Sequence, residues 1–202
     1  AIASGQLLVG GGFSSLNDLP RRRLAAYDLA SMQLTDWSPQ VEQDTFVSIG
    51  PAITSILPHA DHVFIAGNFY QVGGQARSNL AKVDLASGQV LDWRADVNGR
   101  VEAIEVAGDH LYAGGSFSTI SGAGRPYLGR VGVDSAAVDS WAPQPSFRVN
   151  HLSANSSALY VSGWFDSIAG QGRRGAAAFS LPAGELLPWN IDAFVSSTGL
   201  PR

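Results

Sequence analysis

The chain has 202 residues, of which 45% are hydrophobic and only 15% are charged, so most of it must pack against itself. Its formal net charge of −4 argues against a nucleic-acid binder, which would carry a basic excess, and no apolar run is long enough to insert into a membrane. The absence of cysteine excludes disulfides and thiolate metal sites.

One pattern of residues occurs four times along the chain. Each copy contains a Phe followed 24 residues later by a Trp, with a Gly two residues before the Phe and an Arg eight residues after it. The paired residues are Phe13 and Trp37, Phe69 and Trp93, Phe117 and Trp141, and Phe165 and Trp189. Successive Phe residues are 56, 48 and 48 positions apart, and internal repeats of this length indicate a solenoid or a propeller.

The segments within each copy predict β-strands. In the third copy, VEAIEV, HLYAGGSF, YLGRVGV and AVDSW are short, rich in β-forming residues and separated by turn residues. No segment has an apolar stripe of helical period long enough for a helix. Leu111 and Phe117 share one face of their strand and Tyr112 lies on the other, so both faces must be covered. Four such strands in about 48 residues are typical of one propeller blade.

We therefore predict one all-β domain over residues 1–202, a β-propeller built from four repeated four-stranded blades. The blades cover approximately residues 1–48, 49–99, 100–147 and 148–202. The repeated Phe and Trp form the core between blades, and the repeated Gly lets a neighbouring backbone or ring approach closely. The chain forms a closed four-bladed ring, which would remove exposed strand edges, or a section of a larger propeller. A ring of two chains with eight blades is a third arrangement.

The third copy, over residues 111–133, resembles the bacterial β-propeller repeat of the delta-60 type, as do the Trp-x-Pro sequences at residues 37–39 and 141–143. The resemblance covers essentially the whole chain and is specific at Gly-x-Phe, the repeated Arg and the trailing aromatic residue. Two copies depart from it, because Trp93 and Trp189 lack the following Pro. The resemblance implies an extracellular or cell-surface protein, with the periplasm as an alternative, and a molecular function that is mostly unassigned in the family.

The repeated Arg residues are the first candidates for ligand binding. They are Arg21, Arg77, Arg125 and Arg173. They lie in loops that we expect on one face of the propeller, where a ring of guanidinium groups could clamp carboxylate or phosphate groups. The alternative is that each Arg holds its own loop through backbone carbonyls or a nearby Asp, since a residue present in every copy is usually part of the scaffold.

Residues that break the repeat are more informative, because the scaffold does not require them. Trp164 stands where the other copies have Gly12, Asn68 and Ser116. It is a candidate platform for stacking a sugar or for contacting a protein partner. The alternative is that it fills a gap in the last seam between blades.

An insertion of eight residues, around residues 42–51, separates the first copy from the second. Asp44 and Phe46 lie within it and are candidates for binding, because loops on a rigid scaffold commonly carry function. The alternative is a plain variation in loop length.

The sequence offers little support for catalysis or metal binding. The inner strands contain Glu102, Glu105 and His151, but no nucleophile, base and orienting residue occur in an identifiable context. His59 and His62 are three residues apart, a spacing that does not place them on one face of a strand. We therefore predict no cofactor, no metal and no catalytic residue. A hydrolase or lyase that uses carboxylates of the central channel is an alternative.

These patterns predict a non-catalytic protein that binds a protein or carbohydrate partner through its loop face, without nucleic acid and without membrane insertion. The resemblance implies that it is extracytoplasmic. A second hypothesis is a structural role, in which the copies are spacer or assembly modules of a large surface protein and bind no ligand. A homodimer or a continuation into further blades is compatible with both.

Overall fold

The computed structural model describes residues 1–43 and 52–190. The regular elements in this part of the chain are all β-strands, as the sequence predicted. They are β1 (Ile2–Ala3), β2 (Gln6–Gly10), β3 (Ser15–Leu16), β4 (Leu19–Pro20), β5 (Leu24–Asp28), β6 (Val41–Glu42), β7 (Ile53–His59), β8 (His62–Gly67), β9 (Gln71–Val72), β10 (Gln75–Ala76), β11 (Leu80–Asp84), β12 (Arg100–Ala107), β13 (His110–Ser116), β14 (Thr119–Ile120), β15 (Ala123–Gly124), β16 (Leu128–Gly132), β17 (Val149–Ala154), β18 (Ala158–Gly163), β19 (Ser167–Ile168), β20 (Gln171–Gly172) and β21 (Ala176–Ser180). None of the described residues forms a helix that could cross a bilayer.

Each of the four copies forms one antiparallel sheet of three strands. The spatial orders are β1–β2–β5, β7–β8–β11, β12–β13–β16 and β17–β18–β21. The loop between the second and third strand of each sheet contains a small hairpin whose two strands are each two residues long. The chain is therefore an all-β protein made of several small antiparallel sheets, and the same unit is built four times.

The segment that the sequence predicts as a fourth strand makes only one bridge to its own sheet. These bridges join Tyr27 to Leu34, Val83 to Val90, Val131 to Val138 and Phe179 to Leu186. The pairing stops because the chain then turns away and carries the repeated Trp towards the next copy. Nε1 of Trp37 donates a hydrogen bond to the carbonyl oxygen of Asp84, at 3.1 Å. Nε1 of Trp93 donates in the same way to Gly132.

The buried apolar residues form three clusters, and each cluster joins two consecutive copies. The Trp of one copy and the Phe of the next lie in the same cluster: Trp37 with Phe69, Trp93 with Phe117, and Trp141 with Phe165. Aromatic side chains of this size bury about 150–250 Å² each, so these pairs supply a large part of the packing between copies.

The repeated Gly is needed because a neighbouring backbone passes too close for any side chain. A Cβ added at Gly115 would overlap the carbonyl oxygen of Arg100, and one at Gly163 would overlap that of Arg148. Arg100 is the first residue of β12, and Arg148 directly precedes β17; each of these strands is the first strand of its sheet, which we call the inner strand. This close approach fixes the position of the residue that follows the Gly relative to the inner strand of the same sheet.

We expect Gly115→Ala to lower the free energy of unfolding by about 3 kcal/mol or more, because overpacking costs about 1–3 kcal/mol even where side chains can yield. Here the obstacle is backbone. Denaturant unfolding followed by circular dichroism measures the difference. Gly124→Ala is the control, since a Cβ added at Gly124 meets nothing within 4 Å. Equal stabilities for the two variants would contradict the close approach.

Candidate functional site

The four repeated Arg side chains are hydrogen-bonded within their own loops. In each copy, one guanidinium nitrogen donates to the backbone oxygen of the preceding residue: Pro20, Ala76, Gly124 and Gly172. Arg21, Arg77 and Arg125 also donate to a carbonyl oxygen 14 residues later. Arg173 donates instead to Oε1 of Gln171, at 3.0 Å. These are the hydrogen bonds that a scaffold role requires, and they occupy donors that a ligand would otherwise use.

Asp44 and Phe46 lie outside the described residues, so their role stays a prediction. The described chain before them is tied to the second copy. Val41 of β6 pairs with Val72 of β9, and Glu42 forms an ion pair with Arg22.

Trp164 lies on the surface directly after β18, with 59% of its accessible surface exposed. Its backbone N donates to the carbonyl oxygen of Arg148, at 2.9 Å. The guanidinium carbon of Arg148 lies 4.7 Å from the centroid of its ring system. A side chain this exposed does not fill a packed gap between sheets, and its role in binding stays a prediction.

Two more aromatic residues extend this surface, and we call Tyr127, Phe147, Arg148 and Trp164 the aromatic–arginine cluster. The guanidinium of Arg148 lies 5.6 Å from the ring centroid of Phe147, so it contacts both Phe147 and Trp164. The rings of Tyr127 and Phe147 are 5.7 Å apart and inclined by 57°. Phe147 is exposed, as Trp164 is. The cluster is a row of three rings with a cation between two of them.

The fold assembles the cluster at the junction of the third and fourth sheets. Phe147 and Arg148 immediately precede β17, and Trp164 immediately follows β18, which pairs with β17. Gly163 approaches the Arg148 carbonyl so closely that no side chain fits there. The next residue, Trp164, is thereby held against Arg148.

Tyr127 has a left-handed backbone conformation, with φ at 64°. The equivalent residues in the other copies are Arg23, Asn79 and Gly175, which also have positive φ. The segment between the repeated Trp of one copy and the inner strand of the next is the connector. Arg23 and Asn79 hold this connector by donating to the carbonyl oxygens of Val41 and Val97. Tyr127 replaces that hydrogen bond by its ring contact with Phe147. An L-residue in this conformation costs about 1–2 kcal/mol, and because all four copies adopt it, the conformation belongs to the repeat.

Arg148 gives the cluster its charge. Its Nε is buried and has no hydrogen-bond partner among the described residues. Stacking on rings uses the faces of a guanidinium and leaves its terminal nitrogens to donate to a carboxylate or phosphate group. The site therefore combines apolar contact area with a positioned positive charge.

A separate recess lies against the inner strands β7, β12 and β17. Its lining includes Thr54, Arg100, Glu102 and His151. Glu102 is paired with Nε of Arg100 at 2.9 Å. Glu105 is not among the lining residues, and burial raises the pKa of its carboxyl group. Glu102 and His151 both line the recess. The carboxylate of Glu102 is the one acidic group in this lining, and Arg100 is its cationic partner.

His59 and His62 lie opposite each other on the two strands of the β7–β8 hairpin, with their rings 5.4 Å apart. Their spacing separates them on a single strand, and the hairpin turn brings them together. Burial lowers the pKa of His62, so this imidazole is neutral at pH 7. Within residues 1–43 and 52–190, no three or more acidic or His side chains are grouped so that they could hold a metal ion.

The sequence analysis did not identify the neighbours of Trp164 in the cluster. Tyr127 breaks the repeat, and Phe147 does so too, because the preceding connector has Gly99 at that place. Both could have been found by the criterion that selected Trp164. Arg148 carries no such signal, since Arg100 is its equivalent in the third copy.

Comparison with known proteins finds no family model that matches the chain. It also finds no match among curated proteins. The resemblance to delta-60 repeats therefore stays an expectation from the sequence, and function has to be inferred from the geometry of the site.

We expect Tyr127→Asn to leave the free energy of unfolding unchanged or to raise it by up to about 1 kcal/mol, because Asn tolerates the left-handed conformation. Denaturant unfolding measures this. Asn79→Ala is the matched comparison, since it removes the hydrogen bonds of Asn79 with Phe69 and Val97. That variant should lose about 2 kcal/mol. A comparable loss in Tyr127→Asn would mean that Tyr127 is retained for folding and not for binding.

Proposed function

We propose that the chain is a non-catalytic binding module of the β-propeller type, which recognises a protein partner through the aromatic–arginine cluster. One observation carries the proposal: the guanidinium of Arg148 lies against the rings of two exposed aromatic residues, Phe147 and Trp164. Residues that dominate binding energy at protein interfaces are enriched in Trp, Tyr and Arg.

The propeller arrangement is supported by the repetition of one packing unit. Four similar sheets follow one another, and each consecutive pair shares a buried apolar cluster. The inner strands β7 and β12 pack on each other, and so do β12 and β17. Sheets set radially around an axis would pack in this way. The resemblance to delta-60 repeats supports the same fold and an extracellular, cell-surface or periplasmic location.

The chemistry of the cluster favours a protein over a glycan as partner. Arg148 lies over the ring of Trp164, so the cluster presents a positive charge beside its apolar surface. The free donors of Arg148 suit a carboxylate, which can accept two parallel hydrogen bonds. The three rings provide apolar contact beside it. The partner segment should therefore combine an Asp or Glu with a neighbouring apolar side chain.

The other hypotheses make different demands on the cluster. A spacer or assembly module of a large surface protein would need no ligand there. A hydrolase or lyase would use the recess around Glu102, where the one lining carboxylate is neutralised by Arg100. No contact in the described residues favours either role over binding at the cluster.

Selection of a displayed random-peptide library on the immobilised chain tests the proposal. We expect enriched peptides with an acidic residue next to an apolar one, and a Kd that rises about 30-fold in Trp164→Ala, equivalent to a hot-spot loss of about 2 kcal/mol. Arg148→Gln should weaken binding about tenfold and remove the preference for the acidic residue. Tyr70→Ala is the control, because Tyr70 is exposed and lies outside the cluster.

Peptides that bind Trp164→Ala and the parent chain equally well would contradict the proposal, and so would a selection without enrichment. A glycan array probed with the same four proteins separates the two partner classes. Glycan binding that is lost in Trp164→Ala, without peptide binding, would assign the cluster to a carbohydrate.

A further inference from the structure

The contact between consecutive copies has the same form three times, and we call it the repeated seam. On one side lies the repeated Trp, whose Nε1 donates to a backbone oxygen at the end of the third strand of the next sheet or in the turn that follows this strand. The three pairs are Trp37 with Asp84, Trp93 with Gly132, and Trp141 with Gly184. Trp37 and Trp93 are only 4% and 3% exposed. The next copy covers each of them.

Each side of the repeated seam has its own apolar residues. In the second and third copies, the copy that supplies the Trp also supplies a ring against it: Phe64 packs on Trp93 and Tyr112 on Trp141, with centroids 5.2 and 5.4 Å apart. The first copy has Leu8 in the same cluster as Trp37. The next copy supplies an aliphatic residue after its third principal strand. Leu85 and Val133 are the residues at this place in the second and third copies, and both are buried.

The fourth Trp has the first half of this seam only. Tyr160 packs edge-on against Trp189, with centroids 5.8 Å apart, as Phe64 packs against Trp93. Trp189 is nevertheless 41% exposed, and Tyr160 is exposed as well. The face formed by Tyr160 and Trp189 is therefore a seam surface that no copy within the described residues covers, and we call it the Trp189 face.

The first copy presents the other half of the seam to solvent. Leu29 occupies the place of Leu85 and Val133, but it is exposed. Met32 is 64% exposed and stands where Gly88 lies against the indole of Trp37. Met32 keeps the positive φ of that turn, at 56°. Its flexible thioether side chain is suited to packing on an aromatic ring.

We propose that the first copy of a second molecule of this chain covers the Trp189 face, head to tail. The two surfaces have the residue types that the three internal seams bring together. They do not cover each other within one molecule, since Trp189, Leu29 and Met32 all stay exposed. Two such contacts, related by a twofold axis, would join two chains into a ring of eight copies, within the range of known propellers. The inference rests on the seams and is independent of the partner bound at the cluster.

Sedimentation or light scattering of the 202-residue chain, at concentrations up to about 100 µM, tests the proposal. We expect a mass of twice 21.2 kDa for the parent protein and of 21.2 kDa for Trp189→Ala. Trp164→Ala is the matched control, because it removes another exposed Trp that lies outside the seam. It should remain a dimer.

A second variant keeps the test informative if Trp189→Ala does not fold. Met32→Arg alters an exposed side chain on the opposite face and should also give a monomer. Mixing the two variants should restore a dimer, because one seam in the mixed pair then has two intact surfaces. This recovery is specific to a head-to-tail contact. If the dimer formed through the same patch on both molecules, a mixed pair would always contain one altered patch and could not restore an intact contact.

A parent protein that is monomeric at about 100 µM would overturn the proposal. Dimers that persist in both variants would also overturn it. The same holds for a monomer in which Trp189 is protected from an aqueous fluorescence quencher, because the chain's own residues would then cover the face.

Discussion

The indole N–H of each buried Trp must find an acceptor, because an unpaired donor in an apolar core costs about 1–3 kcal/mol. For Trp37 and Trp93 the acceptor is a backbone carbonyl of the following copy. The requirement for this bond positions one sheet relative to the next. It also explains why the last segment of a copy leaves its own sheet after one bridge. Ring burial and hydrogen bonding thus act on the same residue, and the stacking of the sheets depends on them.

The repeated Gly and Arg make the loops a rigid support for residues that differ between copies. Gly163 brings Trp164 against Arg148, and Arg125 holds its loop through the carbonyl oxygens of Gly124 and Asp139. Side chains outside these contacts are free to vary without loss of the fold. Positions of this kind, on rigid elements, are where a binding surface can be built with little reorganisation on binding.

Trp164 and Trp189 are both exposed, but for opposite reasons. Trp164 is a large residue at a place where the other copies have small or polar ones, so the scaffold does not account for it. Trp189 is the residue that the repeat requires, and it is exposed because none of the copies in residues 1–43 and 52–190 covers it. The first therefore indicates a partner of different chemistry, and the second a partner with the same repeat.

The sequence by itself determined the four copies, the absence of helix in the described chain, the role of the repeated Gly, and Trp164 as a departure from the pattern. Each of these follows from local period or from comparison between copies. The tertiary structure decided which residues meet. Tyr127, Phe147 and Trp164 belong to segments about 20 residues apart and come together only because the connector into the fourth copy crosses between them. His59 and His62 meet only across a turn, and the fourth strand is reduced to one bridge by the demand of Trp for a neighbouring carbonyl. Contacts of this kind depend on where one sheet places the next, which no period within a single copy specifies.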